Sequence, residues 1–152
     1  MKELNFETGL VEMAVNGGRA VKFNPVDIGF LETIYGLLAK IEAIESDTEK
    51  KRAKTDDLAK LFDCARNSDK RMREAVDAVF GEGFCADVFP GIRLVAMADG
   101  LTVLENFIFA IVDEMDESVR DNLAKRNDRI AKYTAKYQGS RRLPGQSFGE
   151  AE

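Results

Sequence analysis

The side chains available for chemistry in this chain are carboxylates, lysines, arginines, two cysteines and three tyrosines, because it contains no histidine. That absence removes His-based acid–base pairs, Ser-His-Asp triads and most zinc sites of mixed ligation. The densest acidic group is Asp113-Glu114-Met115-Asp116-Glu117. It lacks the ligand spacing and the central glycine of a calcium loop, so it reads as a solvated helix face. Gly17-Gly18 is not followed by a Lys-Ser/Thr pair, which a phosphate loop needs, and it reads as a hairpin turn. Cys64 and Cys85 form no paired motif and read as small apolar groups. No catalytic, cofactor-binding or metal-binding residue is expected.

The pattern points instead to contact with another protein. Val119, Leu123, Arg126, Ile130, Tyr133 and Tyr137 step along the chain by 4, 3, 4, 3 and 4. That 3.5-residue period is the seam of a helix that packs on a second helix. Leu123, Arg126, Ile130, Tyr133 and Tyr137 are therefore the candidate partner-binding residues. Two sources for the second helix stay open. The hairpin or second helix of the same chain could cover the seam, or a partner could.

Charge follows the same division. Residues 1–118 hold 14 basic and 23 acidic side chains, a balance of −9, while residues 119–142 hold eight basic and two acidic, a balance of +6. An acidic body with a basic terminal helix suits self-association or a charged partner. Nucleic acid is not expected as that partner. The acidic body would repel phosphate, and the two tyrosines fall on the apolar seam.

The elements that position this seam can be read from periodicity. Residues 11–23 alternate as two strands. A three-residue loop at Asn16-Gly17-Gly18 sets Met13 opposite Val21 and Val11 opposite Phe23, making one face apolar. Gly18 is expected in the left-handed position of that loop. Asn24-Pro25-Val26-Asp27 reads as a helix start, with Asn24 as N-cap. The helix should run to about Ser46. Within it Gly29, Gly36 and Ala43 form a small-residue stripe, equally readable as a close helix approach or as three tolerated small residues.

Asp56-Asp57 should complement the dipole of a second helix ending at Gly81 and Gly83. Its polar middle, Arg66 to Arg71, suggests a turn outside the core or a break. "FCADVF" reads as a short apolar turn closed by Pro90-Gly91, and "IRLVAMADG" as a short helix stopped by Asp99-Gly100. The last and longest helix should begin near Leu101. The expected core is Leu37, Leu38, Ile41, Leu61, Phe62, Val76, Phe80, Leu104, Ile108, Ile111 and Val112.

At 152 residues the chain suits one domain, expected over 1–137 with the hairpin at 11–23, followed by a flexible tail over 138–152. The expected class is mainly α, a small helical domain with an N-terminal β-hairpin and a long C-terminal helix. No apolar run approaches the roughly 20 residues of a membrane span, and "MKELNFETGL" has acids where a signal peptide is apolar. A cytoplasmic location with no membrane partner is the resulting expectation.

Three stretches carry a family resemblance: "AVNGGRAVKFNPVDIGFLETI", "DAVFGEGFCADVF" and "ADGLTVLENFIFAIVDEM". Together they resemble the tail assembly chaperones of long-tailed phages and of prophages of Gram-positive bacteria. The resemblance spans roughly residues 10–117 and includes no catalytic signature. It implies a hairpin on a helical domain, no enzymatic activity, self-association, and binding to the tape measure protein during tail assembly in the bacterial host. The alternative from the residues alone is a small dimeric DNA-binding regulator that uses the basic C-terminal helix.

Overall fold

Alternation over residues 11–23 folds as a hairpin in the register that the apolar face requires. The computed structural model describes residues 1–140, with side chains to residue 136. Strand β1 (Val11–Ala14) pairs antiparallel with β2 (Ala20–Phe23), Met13 opposite Val21 and Val11 opposite Phe23. Val21 and Phe23 are buried, while Met13 and Val15 pack against the core from the rim. The turn differs from expectation. Asn16 and Gly17 hold positive φ, at 49° and 75°, and Gly18 does not. The Gly18 amide donates to the Val15 carbonyl at 3.0 Å. This is the Asn-Gly turn of tight hairpins, with Gly18 added behind it.

Helix α1 (Ile28–Arg52) begins three residues later and ends six residues later than the sequence suggests. Asp27, not Asn24, is its N-cap, and the Asp27 carboxylate accepts from the Gly29 amide at 2.9 Å. Asn24 closes the turn before it, its side-chain oxygen accepting from the Val26 amide. The small-residue stripe marks no close approach. A Cβ at Gly36 would meet nothing within 4 Å, and one at Gly29 would meet only the Asp27 side chain.

Helix α2 (Leu58–Phe80) is capped by Asp57 and returns along α1. Arg71 bonds Asp47 across the pair at 2.7 Å. Its polar middle neither breaks the helix nor leaves the interior, since Ser68 and Asp69 are both buried. Gly81, at φ 116°, ends α2, and α3 (Phe84–Val88) turns the "FCADVF" stretch into a short helix. Residues 94–102 are not helical. β3 (Met97–Ala98) and β4 (Leu101–Thr102) form a second small hairpin about Asp99-Gly100, both at positive φ.

Helix α4 (Val103–Ser140) follows directly. Thr102 and Glu105 cap each other reciprocally at 3.0 and 2.8 Å, a capping box that fixes where it starts. The fold is thus mainly α, with an N-terminal hairpin and a long C-terminal helix. The tail expected over 138–152 falls, from residue 141 on, outside the described residues.

The core is centred on phenylalanines. Phe23 stacks on Phe30 at 4.7 Å, Phe80 meets Phe84 at 5.1 Å and Phe107 at 5.3 Å, and Phe89 closes on Phe107 at 5.7 Å. One aromatic run therefore ties hairpin, α1, α2, α3 and α4 together. Six expected core residues are buried: Leu37, Ile41, Val76, Leu104, Ile108 and Ile111. Leu38, Phe80 and Val112 are half-buried and packed on the core. Leu61 is half-buried outside that cluster, and Phe62 is 53% exposed, because the start of α2 extends beyond the elements that cover its second half.

Candidate functional site

Helix α4 changes environment partway along its length. In its first half Leu104, Ile108, Ile111 and Met115 recur at helical spacing and are buried in the core. From Val119 to Lys136 only Thr134 is less than exposed. Val119, Leu123, Ile130 and Tyr133 are 42, 51, 47 and 48% exposed. Neither the hairpin nor α2 covers the seam among the described residues. Arg126, between Leu123 and Ile130 on the seam, is exposed too. The Tyr137 side chain lies outside the described residues. Arg129 lies over the Tyr133 ring at 5.7 Å, a cation–π contact within the helix.

The charge division runs along this one helix. Residues 103–118 carry five acids (Glu105, Asp113, Glu114, Asp116, Glu117) and no base, whereas residues 119–136 carry six bases and two acids. The acids of Asp113 to Glu117 do not converge. Among the described residues no group of three or more His, Cys, Asp or Glu side chains is placed to hold a metal ion. No described helix is long and apolar enough to cross a membrane.

A second surface was not legible from the sequence. Between the hairpin, α3 and the first half of α4 lies an open groove of about 400 Å³. Met13, Val15, Phe89, Val103, Phe107 and Ala110 line it, with Asn16, Asn106 and Glu114 as its polar margin. One arginine helps hold the hairpin in place there. Arg19 donates to the Asp87 carboxylate at 2.9 Å and to the Glu82 carbonyl at 3.0 Å, and it sits over the Phe84 ring at 5.6 Å. The groove wall is therefore pinned to the α2–α3 turn at the loop end of the hairpin.

Behind the groove, Arg73 donates to the carbonyls of Cys85, Phe89 and Ile92, which lie at and after α3. Asp69 orients it through a 2.7 Å bond to Nε. This pair is structural, since its hydrogen bonds are taken up by backbone. Cys85 packs against the same network, and burial first, then the Asp77 carboxylate, push its thiol up to about 12. It is a neutral thiol at physiological pH, without the thiolate that nucleophilic chemistry requires. Compared with known proteins, the chain matches no family model, no curated protein and no solved structure.

Proposed function

We propose that the chain is a non-enzymatic tail assembly chaperone of a long-tailed phage or prophage. Its client is a helical segment of the tape measure protein, held in the groove between hairpin and α4. The observation that carries this reading is the groove itself. It presents an open apolar surface with Glu114 at its margin, on a body whose net charge is negative. A helix can lay an apolar stripe into such a groove, and basic flanks on that helix would meet the acidic body. The resemblance of the three quoted stretches to tail assembly chaperones supplies the client's identity. The work belongs in the cytoplasm of the bacterial host, where a long client would otherwise aggregate.

Co-expression tests the reading. The neighbouring long tape measure gene, expressed alone, should give insoluble protein, and expressed with this chain it should give a soluble complex. A client that stays equally insoluble with and without this chain would count against a chaperone. Shift of a DNA duplex by the purified chain, lost on removing the basic residues of α4, would favour the regulator instead.

A further inference from the structure

We infer that the exposed seam of α4 is covered by α4 of a second copy of this chain, lying antiparallel about a two-fold axis near Asp121. The seam extends further back than the exposed stretch first suggests. Stepping from Val119 by 3, 4 and 3 residues reaches Asp116, Val112 and Phe109. Asp116 is exposed, Phe109 is 42% exposed, and Val112 is half-buried at the edge of the core. One 3.5-residue seam therefore runs from Phe109 to Tyr133, about 36 Å of helix. It contains only two charged residues, Asp116 and Arg126.

Those two charges select the register. An antiparallel helix pair matches each seam position with its mirror about the axis. With the axis at Asp121, Asp116 meets Arg126 of the other copy. Val119 then meets Leu123, Val112 meets Ile130, and Phe109 meets Tyr133. Every apolar position faces an apolar position, and the two opposite charges face each other twice. Sliding by one heptad sets Asp116 against Tyr133, or Arg126 against Phe109. A parallel, in-register pair sets Asp116 against Asp116 and Arg126 against Arg126, which repel. The same arrangement lays the acidic first half of each α4 along the basic second half of the other. Arg120 approaches its own copy at the axis, but it is exposed, where such contacts carry little weight. The partner also shields a helical stretch that otherwise stands in water with little packing to hold it. This interface is independent of the client groove and does not rest on the chaperone reading.

The test is disulfide trapping in the full chain, with Cys64→Ala to remove the half-buried native thiol. Two proteins are made, one with Phe109→Cys and one with Tyr133→Cys. Mixed and oxidised, they should form a disulfide-linked dimer, whereas each alone should not, because its own cysteines lie about 36 Å apart along the pair. Charge reversal gives a second readout by sedimentation. Asp116→Arg or Arg126→Asp should each weaken the dimer roughly a hundredfold, and the double exchange should restore it. Both positions are exposed, so circular dichroism should report a folded chain in each case. A monomeric wild-type chain, self-linking of either single-cysteine protein, or a double exchange that stays monomeric overturns the proposal.

Discussion

Asp69, in the middle of α2, accepts a hydrogen bond at 2.8 Å from the backbone amide of Leu94, twenty-five residues further on. Both residues are buried. The other carboxylate oxygen holds Arg73 at 2.7 Å and Arg93 at 3.5 Å. One acid thus fixes the segment between α3 and the second hairpin onto α2, and Arg73 satisfies the Phe89 and Ile92 carbonyls after α3 and the Cys85 carbonyl within it.

Removing the acid should leave the buried Leu94 amide without its acceptor and the Arg73 guanidinium without its carboxylate. Asp69→Ala is expected to lower stability by about 3–5 kcal/mol, the usual loss on breaking one side of a buried charged pair. Asp69→Asn keeps an acceptor for Leu94 and should cost about half as much, by losing only the charge-assisted part. Urea denaturation of the three proteins checks the order. Equal losses for Ala and Asn would show that the charge, not the amide bond, dominates.

The two faces of the hairpin should respond differently to the same charge. Met13→Asp puts a carboxylate at the core edge and should cost about 2 kcal/mol, through lost apolar contact and a poorly solvated charge. Glu12 is on the opposite, exposed face. Glu12→Lys should fall within about 0.5 kcal/mol of wild type. Indistinguishable melting curves for the two variants would contradict the observed packing of Met13.

Glu45 and Asp47, two residues apart on α1, have opposite pH signatures. Burial first, then the Glu105 and Glu42 carboxylates, raise the Glu45 pKa. Such a group is neutral in both states at low pH, and it destabilises the fold once pH rises above the unfolded-state pKa towards the raised one. Asp47 is held low by hydrogen bonds from Arg71 and then Lys51. Its contribution is present above the unfolded-state pKa and is lost as pH falls through the depressed one. Glu45→Gln should therefore raise Tm at neutral pH, and Asp47→Asn should lower it. Both differences should shrink towards zero on acidification to about pH 3 or below. A constant offset across the titration would assign the effects to packing.

What the sequence made legible was what depends on neighbours in the chain. The hairpin register followed because only one pairing sorts Val11, Met13, Val21 and Phe23 onto one face. The helical spacing of Val119, Leu123, Ile130 and Tyr133 was legible too, and α4 leaves all four about half exposed. What depends on distant partners stayed hidden. The stretch Arg66 to Arg71, which holds Asp69, reads as a turn outside the core or a break because Leu94 and Arg93 reach Asp69 only after the chain has turned twice. Asn24 and Asp27 are both good caps, and the choice between them rests on where the turn after β2 ends. Asp99-Gly100 reads as a helix stop, but an Asp-Gly pair also suits a tight hairpin turn, and β3 and β4 pair about it. The groove could not be seen because its lining comes from β1, β2, α3 and α4.

The client groove and the α4 seam should be separable by mutation. Ala110 lies on α4, exposed, with its side chain on the groove margin and off the seam. Ala110→Glu places a long acid where the client's apolar stripe would lie, at a helix position that tolerates Glu with little loss. It should leave both the fold and the sedimentation of the free chain unchanged, while the co-expressed tape measure protein becomes insoluble. Ile130→Asp with Tyr133→Asp should do the reverse to self-association, and it should leave the monomer's melting curve intact because both side chains are about half exposed. If Ala110→Glu retains full client solubility and the seam variant abolishes it, the client lies along α4 and the groove has another occupant. If the seam variant unfolds, the distal helix is held by contacts within its own chain, and neither surface assignment stands as drawn.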